Sequence, residues 1–255
     1  MKMKYDELGN RMKSNYETRT RSYLPRRSYV IIRIDGRSFS NYTCKLEKPF
    51  DDGFVSDMNS TAMHLCKSIQ GTKLAYVQSD EISILVTDFD TLTTDAWFGY
   101  EVEKVCSISA SIATEHFNKI RLCRAINEKL NTFKAIESVR NLVESSKGAN
   151  FDSRAFTIPA KTEVINYFIW RQQDAVRNSI SSVTRSLYSH RELENINTSQ
   201  MQEMIHQKGQ NWNDYDAGVK RGRIVMKGED GWFVQGAPQF TKTPNFLRDY
   251  IINND

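Results

Sequence analysis

The sequence predicts an α+β fold: an antiparallel sheet in the ferredoxin-type order β-α-β-β-α-β, with helices packed on one face and further helices after it. Three observations predict it. A β-branched run occupies 29–34. Two more strand-like runs, 73–77 and 82–86, are joined by four polar residues. Apolar residues at helical spacing flank that pair on both sides. The chain has 255 residues, of which 39% are hydrophobic and 26% charged, an ordinary composition for a globular protein with a real core. No apolar run approaches the ~20 residues a bilayer helix needs, so no membrane partner is expected. The N-terminus has no signal-peptide core, so the expected location is cytoplasmic. Cys44, Cys66, Cys106 and Cys123 are scattered without a C-x-x-C pair, which argues against a disulfide framework or a zinc site.

The first 28 residues carry Lys2, Lys4, Arg11, Lys13, Arg19, Arg21, Arg26 and Arg27 against Asp6, Glu7 and Glu17. This basic start suits a phosphate-rich partner and equally suits a solvated surface. Tyr29-Val30-Ile31-Ile32-Arg33-Ile34 then reads as a strand buried on both faces, ended by Asp35-Gly36. Beyond Asp52-Gly53, the positions Phe54, Met58, Ala62, Leu65 and Ile69 are four and three apart, one face of a helix closed by Gln70-Gly71. Lys73–Val77 and Ile82–Val86, linked by Gln78-Ser79-Asp80-Glu81, read as a hairpin. A second helix is predicted over 97–118, with Val102, Val105, Ile112 and Phe117 inward, then an irregular basic stretch near 119–150. Arg154–Ile158 reads as a strand stopped by Pro159, followed by a long helix from 162 to about 188 and a shorter one near 198–207. The predicted division is a basic segment 1–28, a core 29–160 and a C-terminal helical extension 161–255 packed on it. Within that extension, 208–255 reads only as short strands or loops.

The chemistry lies in Asp35, at a strand end, and Asp80-Glu81, in the hairpin. In this topology the first strand can lie beside the hairpin, which brings the acids to one sheet edge. Carboxylates that close repel one another unless a cation sits between them or one keeps a proton. Mg²⁺ suits such a set, because it is a hard ion that takes oxygen ligands and phosphate oxygens. Two such ions ~3.5–4 Å apart can activate a hydroxyl and neutralise a leaving pyrophosphate. Each motif alone is commonly just a turn, Asp-Gly at a strand end as much as Ser-Asp-Glu at a hairpin tip. The stripe Val164, Phe168, Arg171, Ala175, Asn178 and Ser182 lies on one face of the long helix and turns polar at its far end. That suits either a nucleotide pocket or a helix leaving the core. The four histidines, His64, His116, His190 and His206, show no ligand spacing.

The motifs Ile34-Asp35-Gly36-Arg37-Ser38-Phe39, Lys48-Pro49-Phe50-Asp51 and Ala75-Tyr76-Val77-Gln78-Ser79-Asp80-Glu81-Ile82-Ser83 are continued by Phe151-Asp152-Ser153-Arg154 and Tyr167-Phe168-Ile169-Trp170-Arg171-Gln172-Gln173-Asp174. In that order, the chain from about 5 to 225 resembles the tRNA(His) guanylyltransferase family, the 3′–5′ RNA polymerases. The resemblance implies a palm-like catalytic core assembled as a homotetramer. It implies a Mg²⁺-dependent enzyme that activates a 5′-monophosphorylated tRNA with ATP or GTP and adds GTP or another NTP to the 5′ end. Carried over by position, Asp35 and Asp80 hold two Mg²⁺ with the Gly36 carbonyl, and Glu81 is a supporting catalytic carboxylate. Asp35, Gly36, Arg37, Ser38, Phe39 and Ser40, with Ser79 and Asp80, line the triphosphate. Lys48 contacts phosphate, and Lys104 and Asn178 complete the nucleotide-binding set. Arg154 is a phosphate or RNA contact, or else the ion-pair partner of Asp152.

Val176-Arg177-Asn178-Ser179-Ile180-Ser181-Ser182 stands where eukaryotic members carry His-Ile-Asn-Asn-Leu-Tyr-Asn. That departure sets the chain nearer the guanylyltransferase-like branch of bacteria, archaea and viruses, and nearer 5′-end repair than tRNA(His)-specific addition. The competing readings are a palm-fold nucleotide cyclase and a non-catalytic RNA-binding protein.

Overall fold

The structure, a computed structural model, describes residues 7–130 and 148–251. A short helix α1 (Glu7–Met12) leads through an exposed segment to β1 (Tyr29–Gly36) and a single turn, α2 (Phe39–Tyr42). There follow α3 (Asp52–Ser68), the hairpin β2 (Thr72–Gln78) and β3 (Glu81–Val86), and α4 (Val102–Leu130). β4 (Phe151–Ile158) precedes α5 (Lys161–Leu187), α6 (Thr198–Gln207) and α7 (Ala217–Arg221). The chain ends in a second hairpin, β5 (Arg223–Gly228) and β6 (Gly231–Gly236), and α8 (Pro244–Tyr250).

The six strands form one sheet in the order β4-β1-β3-β2-β5-β6, antiparallel throughout. Its first four strands have the expected β-α-β-β-α-β topology. The strand period of two sorts β1 by face. Val30, Ile32 and Ile34 pack with Ala75, Val77, Ile82 and Ile84 under α3 and α4, against Met58, Leu65, Val105 and Phe117. Tyr29 and Ile31 face the other way, with Leu74, Tyr76 and Leu85, and meet Val164 and Phe168 of α5. So α3 and α4 share one face, as expected, and the long C-terminal helix closes the other. That is why β1 reads as continuously apolar. Each of its fully buried isoleucines contributes about 1.5–3 kcal/mol.

Two boundaries differ from the sequence reading. The helix expected over 97–118 begins at Val102, after a 3-10 turn (Trp97–Tyr100), and runs on to Leu130. Its extension is held by polar contacts: Arg121 and Arg124 reach Asp57 of α3 at 3.1 and 2.5 Å, so no apolar stripe announces it. The remainder of the irregular stretch, 131–147, lies outside the described residues, as do Lys2 and Lys4. Residues 223–236 are not part of a helical extension: they add β5 and β6 to the free edge of β2, with Val77 opposite Arg223.

Much of the basic start is engaged within the fold. Arg26 pairs with buried Asp88 at 2.5 Å, and the Arg27 guanidinium donates to the Thr91 and Leu92 carbonyls. Arg11, Lys13 and Arg19 stay exposed. Among the described residues no helix is long and apolar enough to cross a membrane.

Candidate active site at the strand ends

Asp35 closes β1, where the ladder sets it opposite Glu81 of β3 and Asp152 of β4. The Gly36 amide donates to the Asp80 carbonyl at 3.2 Å, which lays the hairpin tip across the end of β1. The hairpin connection is two residues long, and Ser79 sits at φ 45°; Ser38, just beyond β1, sits at φ 57°. Left-handed backbone at a non-glycine residue costs on the order of 1 kcal/mol and collects at functional sites. Gly36 is required sterically: a Cβ there would lie 2.3 Å from the Phe39 ring. That ring is fixed against Tyr42, Phe54, Phe117 and Phe151, so Phe39 is chiefly a core residue with an edge on the cleft.

Asp35 and Asp80 line one open cleft together with Ser40, Lys48, Ser79 and Asn178. Burial raises the Asp80 carboxyl to about 6. Hydrogen bonds from Ser79 and its own backbone oppose that shift, and the neighbouring charges of Asp35 and Glu81 add to it. Among the described residues no lysine or arginine pairs with Asp80, and Asp35 has only Arg33 Nη2 at 3.9 Å. Two adjoining carboxylates, one held high, offer the hard oxygen donors that suit Mg²⁺.

Glu81 is different. It is buried in the wall of the same cleft, where Arg171 of α5 grips both carboxylate oxygens at 2.8 Å, Ser83 Oγ donates at 3.2 Å and Arg33 Nε stands 3.7 Å away. Arg171 also reaches Asp174 at 2.8 Å. The three acids therefore line one cleft but are not equivalent. Glu81 is neutralised by the Arg171 fork, and the other two have no such fork among the described residues.

The remaining expected residues divide. Lys48 is exposed on the cleft wall, its Nζ donating to the Thr43 carbonyl at 3.2 Å. Asn178 reaches Asp174 at 3.5 Å, and with Ser182 it carries the polar end of the α5 stripe into the cleft. Arg37 and Ser38 are exposed at the rim, where the Arg37 amide donates to the Asn150 carbonyl at 2.8 Å. Arg154 pairs with Asp152 at 3.5 Å. The structure does not bring Lys104 to the acids within the chain. It pairs with Glu101 at 3.4 Å near the start of α4. Thr114, ten residues later, meets Phe151 at the level of Gly36, roughly 15 Å along the helix.

Sequence reasoning gave no role to Arg185, which lines the cleft from α5. Its spacing of eleven from Asp174 and seven from Asn178, on one helix face, is the signal that could have found it. Nor did it find the adjoining lobe walled by Phe50, Phe54, Val55 and Ala175, with Arg223 at its base. Arg223 is lowered to about 10 by burial and bonds Asn59 at 2.7 Å.

Comparison with known proteins shows the family and the fold. The family model described as Thg1, tRNAHis guanylyltransferase, matches residues 9–159. The solved structure of a bacterial tRNA(His) guanylyltransferase (Thg1)-like protein in complex with ATP is 39% identical and superposes with a TM-score of 0.83. It covers 96% of this chain and 99% of that one. A bacterial Thg1-like protein in complex with GTP is 38% identical, with a TM-score of 0.77 and the same coverage. An uncharacterised protein of Acanthamoeba polyphaga mimivirus is 28% identical over 98% of this chain and 83% of its own length.

Proposed function

Because this chain belongs to the tRNAHis guanylyltransferase (Thg1) family, we propose that it adds GTP or other NTPs to the 5′ end of tRNA in the 3′-to-5′ direction, with Asp35 and Asp80 holding two Mg²⁺ ions. It is a nucleotidyltransferase of that family. The observation that carries the finer reading is the Asp35–Asp80 pair at an open cleft, in which Asp80 has no lysine or arginine partner among the described residues.

Bound there, with the Gly36 carbonyl as a further ligand, Mg²⁺ would supply charge neutralisation at the triphosphate and the leaving pyrophosphate. The chain's own groups do the positioning. Lys48 and the Ser40 and Ser79 hydroxyls orient phosphate oxygens, and Asn178 borders the nucleotide. Glu81, clamped by Arg171, fixes the base of the hairpin so that Asp80 keeps its place. Asp80 must be ionised to act as a ligand, which its carboxyl near 6 permits at neutral pH. No nucleophilic side chain is needed, since phosphoryl transfer rests on positioning and electrostatics.

ATP and GTP are proposed as substrates on the strength of the two ligand complexes of similar bacterial proteins. The departure at 176–182, together with 39% identity to a bacterial Thg1-like protein, favours repair of 5′-truncated tRNA over the single tRNA(His) addition. A homotetramer belongs to the same reading, and a sedimenting mass near four chains tests it.

The deciding assay incubates the protein with Mg²⁺, labelled GTP and a tRNA lacking its first 5′ nucleotide. Extension at the 5′ end, lost in Asp35→Ala and Asp80→Ala, supports the proposal. A cyclic nucleotide made without RNA would establish the cyclase instead, and RNA retention without product would establish a binding module.

A further inference from the structure

Of the four tryptophans, Trp97 is buried, Trp212 and Trp232 are half-buried, and Trp170 on α5 is 47% exposed. The Arg171 guanidinium lies over one face of the Trp170 ring, 4.4 Å from its centroid. Tyr167 meets the same ring edge-on at 5.9 Å. Those two contacts fix the indole and leave its other face to solvent. A single exposed apolar side chain is ordinary on a protein surface. This one is marked by where it stands.

The guanidinium stacked on Trp170 is the one that grips Glu81 at 2.8 Å, and Glu81 stands opposite Asp35 in the β1–β3 ladder. That chain of contacts puts the indole roughly 10 Å from the Asp35 carboxylate. Its side is also set. Gln172 donates to the Pro238 carbonyl at 2.8 Å and so faces the β5 side of α5. Two residues along a helix differ by about 200°, which turns Trp170 toward β4, where Tyr167 meets Phe156 at 5.8 Å. The acid pair lies between the two sides, because the sheet runs β4-β1-β3-β2-β5. On the β5 side of the acids is the lobe walled by Phe50, Phe54 and Ala175, and on the β4 side is the bare indole. Joining a nucleotide to an RNA end needs a place for each. The walled lobe suits a free nucleotide, whereas the open indole admits a strand. Exposed Arg154 on β4, two residues from Phe156, faces the same way and offers a cation for phosphate. Its pair with exposed Asp152 at 3.5 Å is screened by water and worth little.

We propose that the free face of Trp170 stacks on an unpaired nucleobase at the acceptor end of the RNA substrate, with Arg154 beside it for the strand's phosphates. The inference rests on the 5′-end nucleotidyltransferase reading and adds a positioning residue to it. Stacking tolerates any base, since every base has a π-face, so the indole would hold RNA ends of different sequence. A tRNA lacking its first 5′ nucleotide presents such a base, the one opposite the gap. The Arg171 guanidinium behind the ring keeps it from turning away, and ties the stacked base to the element that also clamps Glu81.

The test compares two acceptor-stem RNAs, one blunt and one lacking its first 5′ nucleotide, binding to the full chain in Mg²⁺-free buffer by fluorescence anisotropy. The parent should bind the recessed RNA at least about fivefold more tightly than the blunt one, the low end for one base stacked on an aromatic ring. Trp170→Ala should bind both alike, and Trp170→Phe should keep most of the preference. In 5′-end extension, Trp170→Ala should raise KM for the RNA and leave KM for GTP within about twofold. A raised KM for GTP with RNA binding intact would overturn the inference by moving the stack to the free nucleotide. A smaller sedimenting mass for Trp170→Ala would overturn it by assigning the indole to a contact between copies. If the parent extends RNA and Trp170→Ala keeps the preference, this inference alone fails. If the preference depends on Trp170 and the parent makes no product, the nucleotidyltransferase reading alone fails.

Discussion

Asp57 and Asp80 are both largely withdrawn from water, and the protein treats them in opposite ways. Asp57, on α3, is 2% exposed and holds two guanidinium groups, Arg121 at 3.1 Å and Arg124 at 2.5 Å. Asp80, at the β2–β3 tip, has no such partner among the described residues and carries a carboxyl raised to about 6 by burial and adjoining acids. The first charge is completed inside the chain and serves the fold. The second is left open toward the cleft. Glu81 repeats the lesson within one site, because Arg171 completes it and so removes it from the pool of free ligands.

The contrast breaks most visibly in activity. Asp35→Ala and Asp80→Ala should each lower 5′-end extension by roughly 10²–10³-fold or more, while thermal melting shows a folded protein. The same chemistry at Asp57 should do the reverse. Asp57→Asn removes the charge that holds part-exposed Arg121 and Arg124 and should cost about 2 kcal/mol in urea denaturation, with activity per folded molecule retained.

The next effect has its sign set by linkage. Asp80 is raised above its ordinary 3.8, so the native state holds that proton more tightly than the unfolded chain does. Its contribution to stability is therefore present at low pH and lost as pH climbs from about 4 to about 6. In Mg²⁺-free buffer at pH 7, Asp80→Asn should be more stable than the parent by about 2 kcal/mol, with the difference vanishing near pH 3.5. Added Mg²⁺ should narrow the gap by stabilising the parent alone. The smallest effect is expected at Lys48, which is exposed and bonded only to a carbonyl. Lys48→Ala should raise KM for the triphosphate by roughly five- to tenfold and change tRNA affinity less than about twofold. Equal losses in both would remove Lys48 from the phosphate.

What was legible in the sequence follows the same division between local and distant causes. β1, α3, the first hairpin and α5 announce themselves because burial on a sheet face or helix face imposes a period on neighbouring residues. The far end of α4 does not, since Asp57 holds it through charge rather than through apolar packing. β5 and β6 are short, glycine-bounded and polar on one side, and they exist because the edge of β2 accepts them: a pairing such as Val77 with Arg223 leaves no local trace.

At the site, the convergence of Asp35 with the hairpin was readable from strand ends and topology. That Glu81 is neutralised was not, because its partner Arg171 lies ninety residues away on another element. Lys104 is paired with Glu101 three residues before it, a local contact that its place on the helix does not reveal. The bare Trp170 ring beside the acids required α5 to be docked on the sheet before it could be seen.

The central claim is that Asp35 and Asp80 share divalent ions while Glu81 does not. Crystals grown with a nucleoside triphosphate and Mn²⁺ in place of Mg²⁺ would show it directly by anomalous scattering. The account predicts strong peaks within coordination distance of the Asp35 and Asp80 carboxylates, with Glu81 still in the Arg171 fork. Peaks seated on Glu81 with Arg171 displaced, or no peak between the two aspartates, would contradict it.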